Sequence, residues 1–563
     1  MDATFINVYI AIVRYLMVAL VGILLFRTVK PLLTFRREPE IWAWLCLPDG
    51  KKLPVTHWES VIGRSRRSDI VLEDPNISKS HAVLTRYDDG SWTVSSVHGA
   101  GDLRVNGKKV KIRAINPKDV IAIGALEMTL QPISREQEKH LAKLRTKAAT
   151  PYDSMVNLLI LTFIQVLMCV GYLMNGQTQY SSEILAGFGG IVACQWLLFV
   201  FYLLIRRPSF EVETIAFFLC TLGMAAICTV VPWEAAKQVA AMVLGIGIFL
   251  AVGWCLRDLE RAKKVRDVAV FAGIGFLLIT LFFGTEYYGA KNWLVIGSFS
   301  VQPSEFSKVC FVFVAASTMD KIMTRRNLIV FIVYSALICV CLAIMNDFGT
   351  ALIFFVAFLA GAYLRSGSVG TLALACTGVG FAGVLGVRLM PHALRRFATW
   401  RHIWEHPLTG GYQQTQALMC VAAGGLLGLG PGQGKMRWLF AADSDMVVAT
   451  VCEEWGILMI LAAVLAIVAL ALFSIRSAQV GRSAFYTIGA NTAVAILVMQ
   501  TILNALGTVD VVPLTGVTFP FVSNGGSSML CAWGLLAFVK AADTRQNASF
   551  AVRLSWKGGG AVE

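Results

Sequence analysis

GYQQTQALMCVAAGGLLGLGPGQGKMRWLFAADSDMVVATVCEEWG, residues 411 to 456, is the longest polar interruption in the apolar second half of a 563-residue chain. It delivers Asp443 and Asp445 to the mouth of an apolar run and sets Glu453 and Glu454 two turns deeper. What those carboxylates mean depends on what surrounds them. With 56% hydrophobic residues, 15% charged residues and a mean hydropathy of +0.66, the chain is too apolar for a soluble globular protein and reads as a polytopic membrane protein. Acidic groups at the edge of a bilayer are expensive and mark function by default.

The net charge of +14 does not point to nucleic acid, because Lys and Arg fall in short clusters between apolar runs, as membrane topology is written. The thirteen Cys lie mostly inside those runs, as at Cys169, Cys194, Cys220 and Cys531, with no CxxC pair. They read as small core residues.

Working outward from the opening stretch, apolar spans are expected at 154–174, 183–205, 213–231, 238–256, 268–285, 303–318, 328–345, 350–364, 369–389, 446–474, 485–506 and 519–541. A further one at 5–26, interrupted by Arg14, makes about thirteen. Arg206-Arg207, RDLERAKKVRD, DKIMTRRN, Arg365, SIRSAQVGR and the Arg545 tail alternate with NGQTQYSSE, PWEAAK, GTEYYGAKNW and the long polar loop. The positive-inside rule makes the first set cytoplasmic and the Asp445 loop extracytoplasmic, with the N-terminus outside and residue 30 inside.

Residues 40–132 differ in kind. SWTVSSV, KKVKIRAI and DVIAIGALEMTL alternate in β fashion between Gly, Asn and Asp turns, which predicts a small β-sandwich inserted between membrane segments. Gly63-Arg64, Ser68-Asp69-Ile70-Val71-Leu72, Ile77-Ser78-Lys79-Ser80-His81-Ala82 and Val105-Asn106-Gly107 resemble a forkhead-associated (FHA) domain. The resemblance implies contact of Arg64 and Ser78 with a phosphothreonine, with Asn106 beside them, and hence a phosphothreonine-containing partner. The turn that reads Asn-Gly-Thr in that family is here Gly101-Asp102-Leu103, and Asp102 would repel an acidic ligand, so the module reads either as a phosphopeptide binder or as a purely structural sandwich. Basic segments on both sides, ending in REQEKHLAKLRTK, place the module in the cytoplasm.

Four segments put polar or Gly-rich sequence at the extracytoplasmic ends of spans. Gly289-Ala290-Lys291-Asn292-Trp293 leads to Gln302-Pro303-Ser304-Glu305-Phe306-Ser307-Lys308, where Pro303 suits a first helical turn and Glu305 and Lys308 share one face. Asn346-Asp347-Phe348-Gly349-Thr350 starts another helix, with Asp347 open to a capping or a functional role. The opening stretch is the third. Pro513-Leu514-Thr515-Gly516-Val517-Thr518-Phe519-Pro520-Phe521-Val522-Ser523-Asn524-Gly525-Gly526-Ser527-Ser528 is the fourth, and its broken helix implies a cavity.

In this order the four segments resemble the SEDS family (shape, elongation, division and sporulation; FtsW and RodA), across about residues 210–541. The fold class implied is a polytopic α-helical membrane protein with a ten-span core and an inserted all-β module. Its expected parts are an anchor at 1–30, the sandwich at 40–132, a basic linker at 133–153, two added helices within 154–208, the core at 210–541 and a cytoplasmic tail at 542–563. The resemblance implies a peptidoglycan glycosyltransferase polymerising lipid II, with a class B penicillin-binding protein as partner. Asp445 takes the catalytic position, selected over Asp443 by its spacing to Glu453-Glu454-Trp455-Gly456. Glu305, Lys308, Lys291, Asp347, Glu454 and Ser527 are expected to bind substrate. Asn292 stands where the family often has Arg. Carboxylate and diphosphate oxygens would suit Mg or Mn, although the sequence shows no ligand set. Two alternatives remain: a lipid-linked precursor flippase, which would want charges at mid-membrane or on both sides, and a signalling scaffold with an inactive core.

Overall fold

A computed structural model describes residues 3–34, 41–134, 150–174, 178–320, 325–366, 397–479, 483–545 and 548, apart from isolated positions, with scattered positions elsewhere. The span expected at 369–389 lies largely outside the described residues. Helix α1 (Ala3–Leu33) precedes the β-rich segment and α2 (Pro151–Met174) follows it.

The β-rich segment is a two-sheet sandwich. Strands β1 (Ala43–Cys46), β2 (Lys52–Val55), β7 (Leu103–Val105), β8 (Lys108–Lys109), β10 (Val120–Ile123) and β11 (Leu126–Pro132) form one sheet in the order β2-β1-β11-β10-β7-β8. Strands β3 (Glu59–Gly63), β4 (Ile70–Val71), β5 (Ala82–Arg86), β6 (Trp92–Ser96) and β9 (Ile112–Ile115) form the other, in the order β4-β3-β5-β6-β9. Period-2 alternation turns Ile62, Leu84, Val94, Ile121, Ile123 and Leu130 into a common core. Asn106 and Gly107, at φ 52° and 77°, make the left-handed turn between β7 and β8, the Asn-Gly hairpin chemistry that the sequence announces.

The remainder is helical: α3 (Ser181–Leu204), α4 (Glu211–Val230), α5 (Ala235–Leu256), α6 (Leu259–Phe283), α7 (Pro303–Asp320), α8 (Arg325–Ile344), α9 (Phe348–Ser366), α10 (Tyr412–Gly424), α11 (Val447–Trp455), α12 (Ile457–Gln479), α13 (Ala484–Thr508) and α14 (Gly526–Ala541). Among the described residues eight helices are long and apolar enough to cross a membrane, and three shorter ones are apolar. The protein is a multi-pass membrane protein. Helix α4 is buried along its length and packs against α1, α2, α3, α5, α11 and α12. Trp533 of α14 meets Phe217, Phe249 and Phe521 edge to face, which locks α14 to α4 and α5.

Two elements differ from expectation. The span expected over 446–474 is two helices, α11 and α12, broken at Gly456, whose φ of 86° and close packing on Leu426 leave no room for a side chain. The stretch after α6, which reads in the sequence only as a connection between spans, is a three-stranded sheet, β12 (Thr285–Tyr287), β13 (Ala290–Ile296) and β14 (Phe299–Val301).

Where α4 begins and α14 ends, charges are welded together. Lys540 Nζ lies 3.1 Å from Glu213 Oε2, and Tyr202 OH donates to Glu213 Oε1 at 2.9 Å. Arg545 pairs with Glu211 at 2.7 Å and with Asp543 at 2.6 Å, all three buried. Arg545 also reaches the carbonyl of Pro31, and Arg476 that of Leu33, so two cations satisfy the C-terminal carbonyls of α1.

Candidate active site

The four sequence segments lie on different elements, and hydrogen bonds tie all four together. Strand β13 holds Lys291 and Asn292. Lys291 N–H donates to the carbonyl of Met345 at 3.0 Å, and its Nζ donates to the carbonyl of Leu281 at 2.8 Å. Asn292 Nδ2 donates to Asp347 Oδ2 at 3.3 Å, while Asp347 Oδ1 accepts from the Thr350 N–H at 3.1 Å and so caps α9. Thus Asp347 has both roles left open by its sequence, a cap and a bridge to the Asn292 segment.

Pro303 opens α7 as its first residue. Just before it, Gln302 N–H donates to Ser527 Oγ at 3.0 Å, which joins this helix start to that of α14. Glu305 and Lys308 form a 2.6 Å ion pair whose side chains are 5% and 1% exposed. Lys308 sits about 8 Å along the helix from its first residue, so the pair is deep, beneath the helix ends.

The Asp445 loop lies on the fourth segment. Asn524 N–H donates to the Asp443 carbonyl at 2.8 Å, Ser523 Oγ donates to the Ser444 carbonyl at 2.7 Å, and Asn504 Nδ2 bridges the carbonyls of Asp445 at 3.1 Å and Val517 at 2.7 Å. Asp445 is half-buried, and its Oδ2 would lie 3.5 Å from a Cβ added at Gly516, whose φ of 70° belongs to glycine. Asp443 is committed differently: Asn524 Nδ2 donates both to its Oδ2 at 2.8 Å and to Glu234 Oε2 at 2.9 Å. Burial raises the Asp443 pKa above the usual carboxylate range; the Asn524 hydrogen bond opposes the rise and the Glu234 charge adds to it.

Glu454, expected near substrate, is surrounded by donors. Its Oε2 accepts from Tyr172 OH at 2.8 Å and Thr229 Oγ1 at 2.7 Å, and its Oε1 from the N–H groups of Gly432 at 2.9 Å and Gly434 at 3.4 Å. Glu453 Oε2 accepts from Met436 N–H at 2.8 Å. The two glutamates fasten the loop that precedes Asp445. Asn504, Asn524, Glu234 and Tyr172 were not singled out from sequence, although an Asn inside the apolar run 485–506 is the kind of signal that could have found Asn504.

Among the described residues no three His, Cys, Asp or Glu side chains gather as a metal cage. Asp443 and Asp445 therefore fit Mg or Mn only if a diphosphate supplies further oxygens.

In the sandwich, Arg64 Nη1 donates to the Pro75 carbonyl at 3.3 Å, and Ser78 N–H donates to Nδ1 of the fully buried His81 at 3.3 Å. Asn106 spends both amide atoms internally, on Asp119 at 2.8 Å and on Val120 N–H at 2.9 Å. Asp102 is ion-paired with Lys109 and, at 3.5 Å, with Arg104, so its charge is locally offset. The Lys109 hydrogen bond and charge hold its pKa below the usual value.

A multi-pass helical bundle with a gathered carboxylate loop and an appended sandwich is the class that fold and site define. Residues 215–548 match the family described as cell cycle protein, of FtsW, RodA and SpoVE, and the chain belongs to that family. Residues 47–134 match the family described as the cytoplasmic domain of the inner membrane component of the type III secretion system. The chain is 29% identical over 361 residues, 58% of this chain and 87% of the relative, to the probable peptidoglycan glycosyltransferase FtsW of Pseudoalteromonas translucida. It is 27% identical over 322 residues, 54% of this chain and 69% of the relative, to the peptidoglycan glycosyltransferase RodA of Mycobacterium leprae. A solved FHA domain studied for phosphothreonine-dependent interactions aligns at 21% identity, covering 16% of this chain and 98% of its own, with a TM-score of 0.16.

Proposed function

We propose that the chain is a peptidoglycan glycosyltransferase that polymerises lipid II at the extracytoplasmic face of the membrane, with Asp445 as general base. The names of its relatives supply the reaction. The observation that carries the assignment of the site is the series of hydrogen bonds that links the four segments, spread over more than 200 residues, with the Asp445 loop held on the fourth.

A sugar hydroxyl must lose a proton as it attacks the anomeric carbon and expels a lipid diphosphate, with inversion. A positioned carboxylate removes that proton, and cations offset the charge that develops on the leaving group. Asp445 is held by its backbone to α13 through Asn504, which fixes the position of the base through its main chain. Lys308, oriented by Glu305, and Lys291 supply the positive side. Asp445 would hold a divalent cation, which would supply Lewis-acid stabilisation of the leaving group. Ser527 joins the starts of α7 and α14, and Asp347 joins the start of α9 to β13. Glu454 acts through the loop it fastens.

The basic clusters of the sequence support a cytoplasmic sandwich and C-terminal tail by the positive-inside rule. There Arg64 and Ser78 would read a phosphothreonine on a partner, and a class B penicillin-binding protein would receive the glycan in the membrane complex. The names of the relatives favour polymerisation over a flippase. Purified protein incubated with labelled lipid II, with and without a penicillin-binding partner, tests the reading: glycan ladders are expected, and transfer of intact lipid II across the bilayer without ladders would contradict it.

A further inference from the structure

The sandwich sits in sequence between α1 and α2, and both helices lie outside the family match at 215–548. A helix that only tethers a module to a membrane needs apolar packing and nothing more. Helix α2 does more. Tyr172, in its last turn, is fully buried, and its hydroxyl donates to Glu454 Oε2 at 2.8 Å, accepts from Trp455 Nε1 at 3.2 Å and lies 3.1 Å from Thr229 Oγ1.

What Glu454 holds explains why this matters. Its other oxygen takes the N–H groups of Gly432 and Gly434. The backbone carbonyls of Glu453 and Glu454 take the N–H groups of Leu429 and Gly430, both at 2.9 Å. Met436, anchored by Glu453, is buried against Leu439, Ala442 and Met446, which flank Asp443 and Asp445. The segment from 428 to 446 is thus one braced unit. The accessory helices also touch it sterically: a Cβ on Gly171 of α2 would come within 2.6 Å of Pro431, and one on Gly430 within 2.6 Å of Ile10 of α1.

We propose that Tyr172 is a positioning residue for the Asp445 loop, so that the helices added outside the family core form part of the catalytic scaffold as well as anchoring the sandwich. The proposal rests on the reading of Asp445 as the base. Without the hydroxyl, Glu454 Oε2 keeps one of its two side-chain donors in a buried site, and the loop it restrains loosens.

The test uses full-length wild type, Tyr172→Phe and Asp445→Ala in one lipid II polymerisation assay, with hydrogen exchange on the same preparations. Tyr172→Phe is expected to lower kcat by about tenfold with KM changed less than about twofold, the pattern of a displaced base. Exchange should quicken in peptides covering 428–446 and stay unchanged in the sandwich. Adding Tyr172→Phe to Glu454→Gln should cost little beyond Glu454→Gln alone, because the two act as a unit. If Tyr172→Phe does not fold, Thr229→Val, which removes the other side-chain donor to the same oxygen, is read the same way. Wild-type kcat and unchanged exchange in the folded variant, with Asp445→Ala inactive, would overturn the proposal and leave the proposed reaction standing. An active Asp445→Ala would instead remove the reading on which it rests.

Discussion

The two ends of α4 and α14 solve the same problem in opposite ways. At one end Glu211, Glu213 and Asp543 are buried against Arg545 and Lys540, charge against charge. At the other, Asp347, Asp443, Glu453 and Glu454 are held by amides, hydroxyls and backbone N–H groups, none of which cancels a charge. Ion pairing at the first end offsets each of these carboxylates with a buried cation. Neutral donors fix the geometry of these four carboxylates without offsetting them, while the Glu305–Lys308 pair lies deeper, a combination that suits proton abstraction beside a cation-assisted leaving group.

The largest effect should come from breaking the welded end. Arg545→Ala strands Glu211 and Asp543 in a buried site and should cost about 3–5 kcal/mol of stability, seen as a lower unfolding temperature in detergent. Its turnover per folded molecule should stay near wild type, and a matching fall in turnover would erase the distinction between the ends. Asn504→Ala should do the reverse. It frees the carbonyls of Asp445 and Val517 at about 1–2 kcal/mol of stability, and kcat should drop about tenfold with KM little changed.

Asn524→Ala should have a smaller kinetic effect, several-fold by the same logic, and a pH signature. A carboxyl whose folded pKa stands above its unfolded value favours folding below the unfolded value, and that contribution is lost as pH rises through the folded one. Asp443 is of this kind, and Asn524 opposes the rise. Removing Asn524 should therefore move the upper edge of that window to higher pH, measured as stability against pH in wild type and variant. The smallest effect belongs to the sandwich. Lys109→Ala should return the depressed Asp102 pKa toward the ordinary value and weaken binding of a phosphothreonine peptide by about threefold through lost local charge, measured by titration calorimetry with Arg64→Ala as the non-binding control.

Most of this architecture is visible in local pattern. The sandwich announces itself through period-2 runs and the Asn106-Gly107 turn, and the site through polar segments at helix starts such as Pro303 and Asp347, because both kinds of signal are written within a few residues. Long-range pairings are not. Nothing near Tyr172 says that its hydroxyl meets Glu454, 282 positions away, and nothing near Arg545 says that it meets Glu211, 334 positions away. In the sequence Gly456 stands only as the end of the Glu453-Glu454-Trp455-Gly456 motif, and its φ of 86° makes it the break between two helices. The β13–β14 hairpin was hidden by its position between apolar helices, although Gly297, at φ 64°, marks its turn.

The central claim is that Asp445 removes the acceptor proton. The most direct measurement is single-turnover polymerisation of labelled lipid II by purified wild type and Asp445→Ala of equal unfolding temperature, each with its penicillin-binding partner. The account predicts glycan ladders from wild type and a rate at least about a hundredfold lower from the variant. Ladders from Asp445→Ala at the wild-type rate would contradict it.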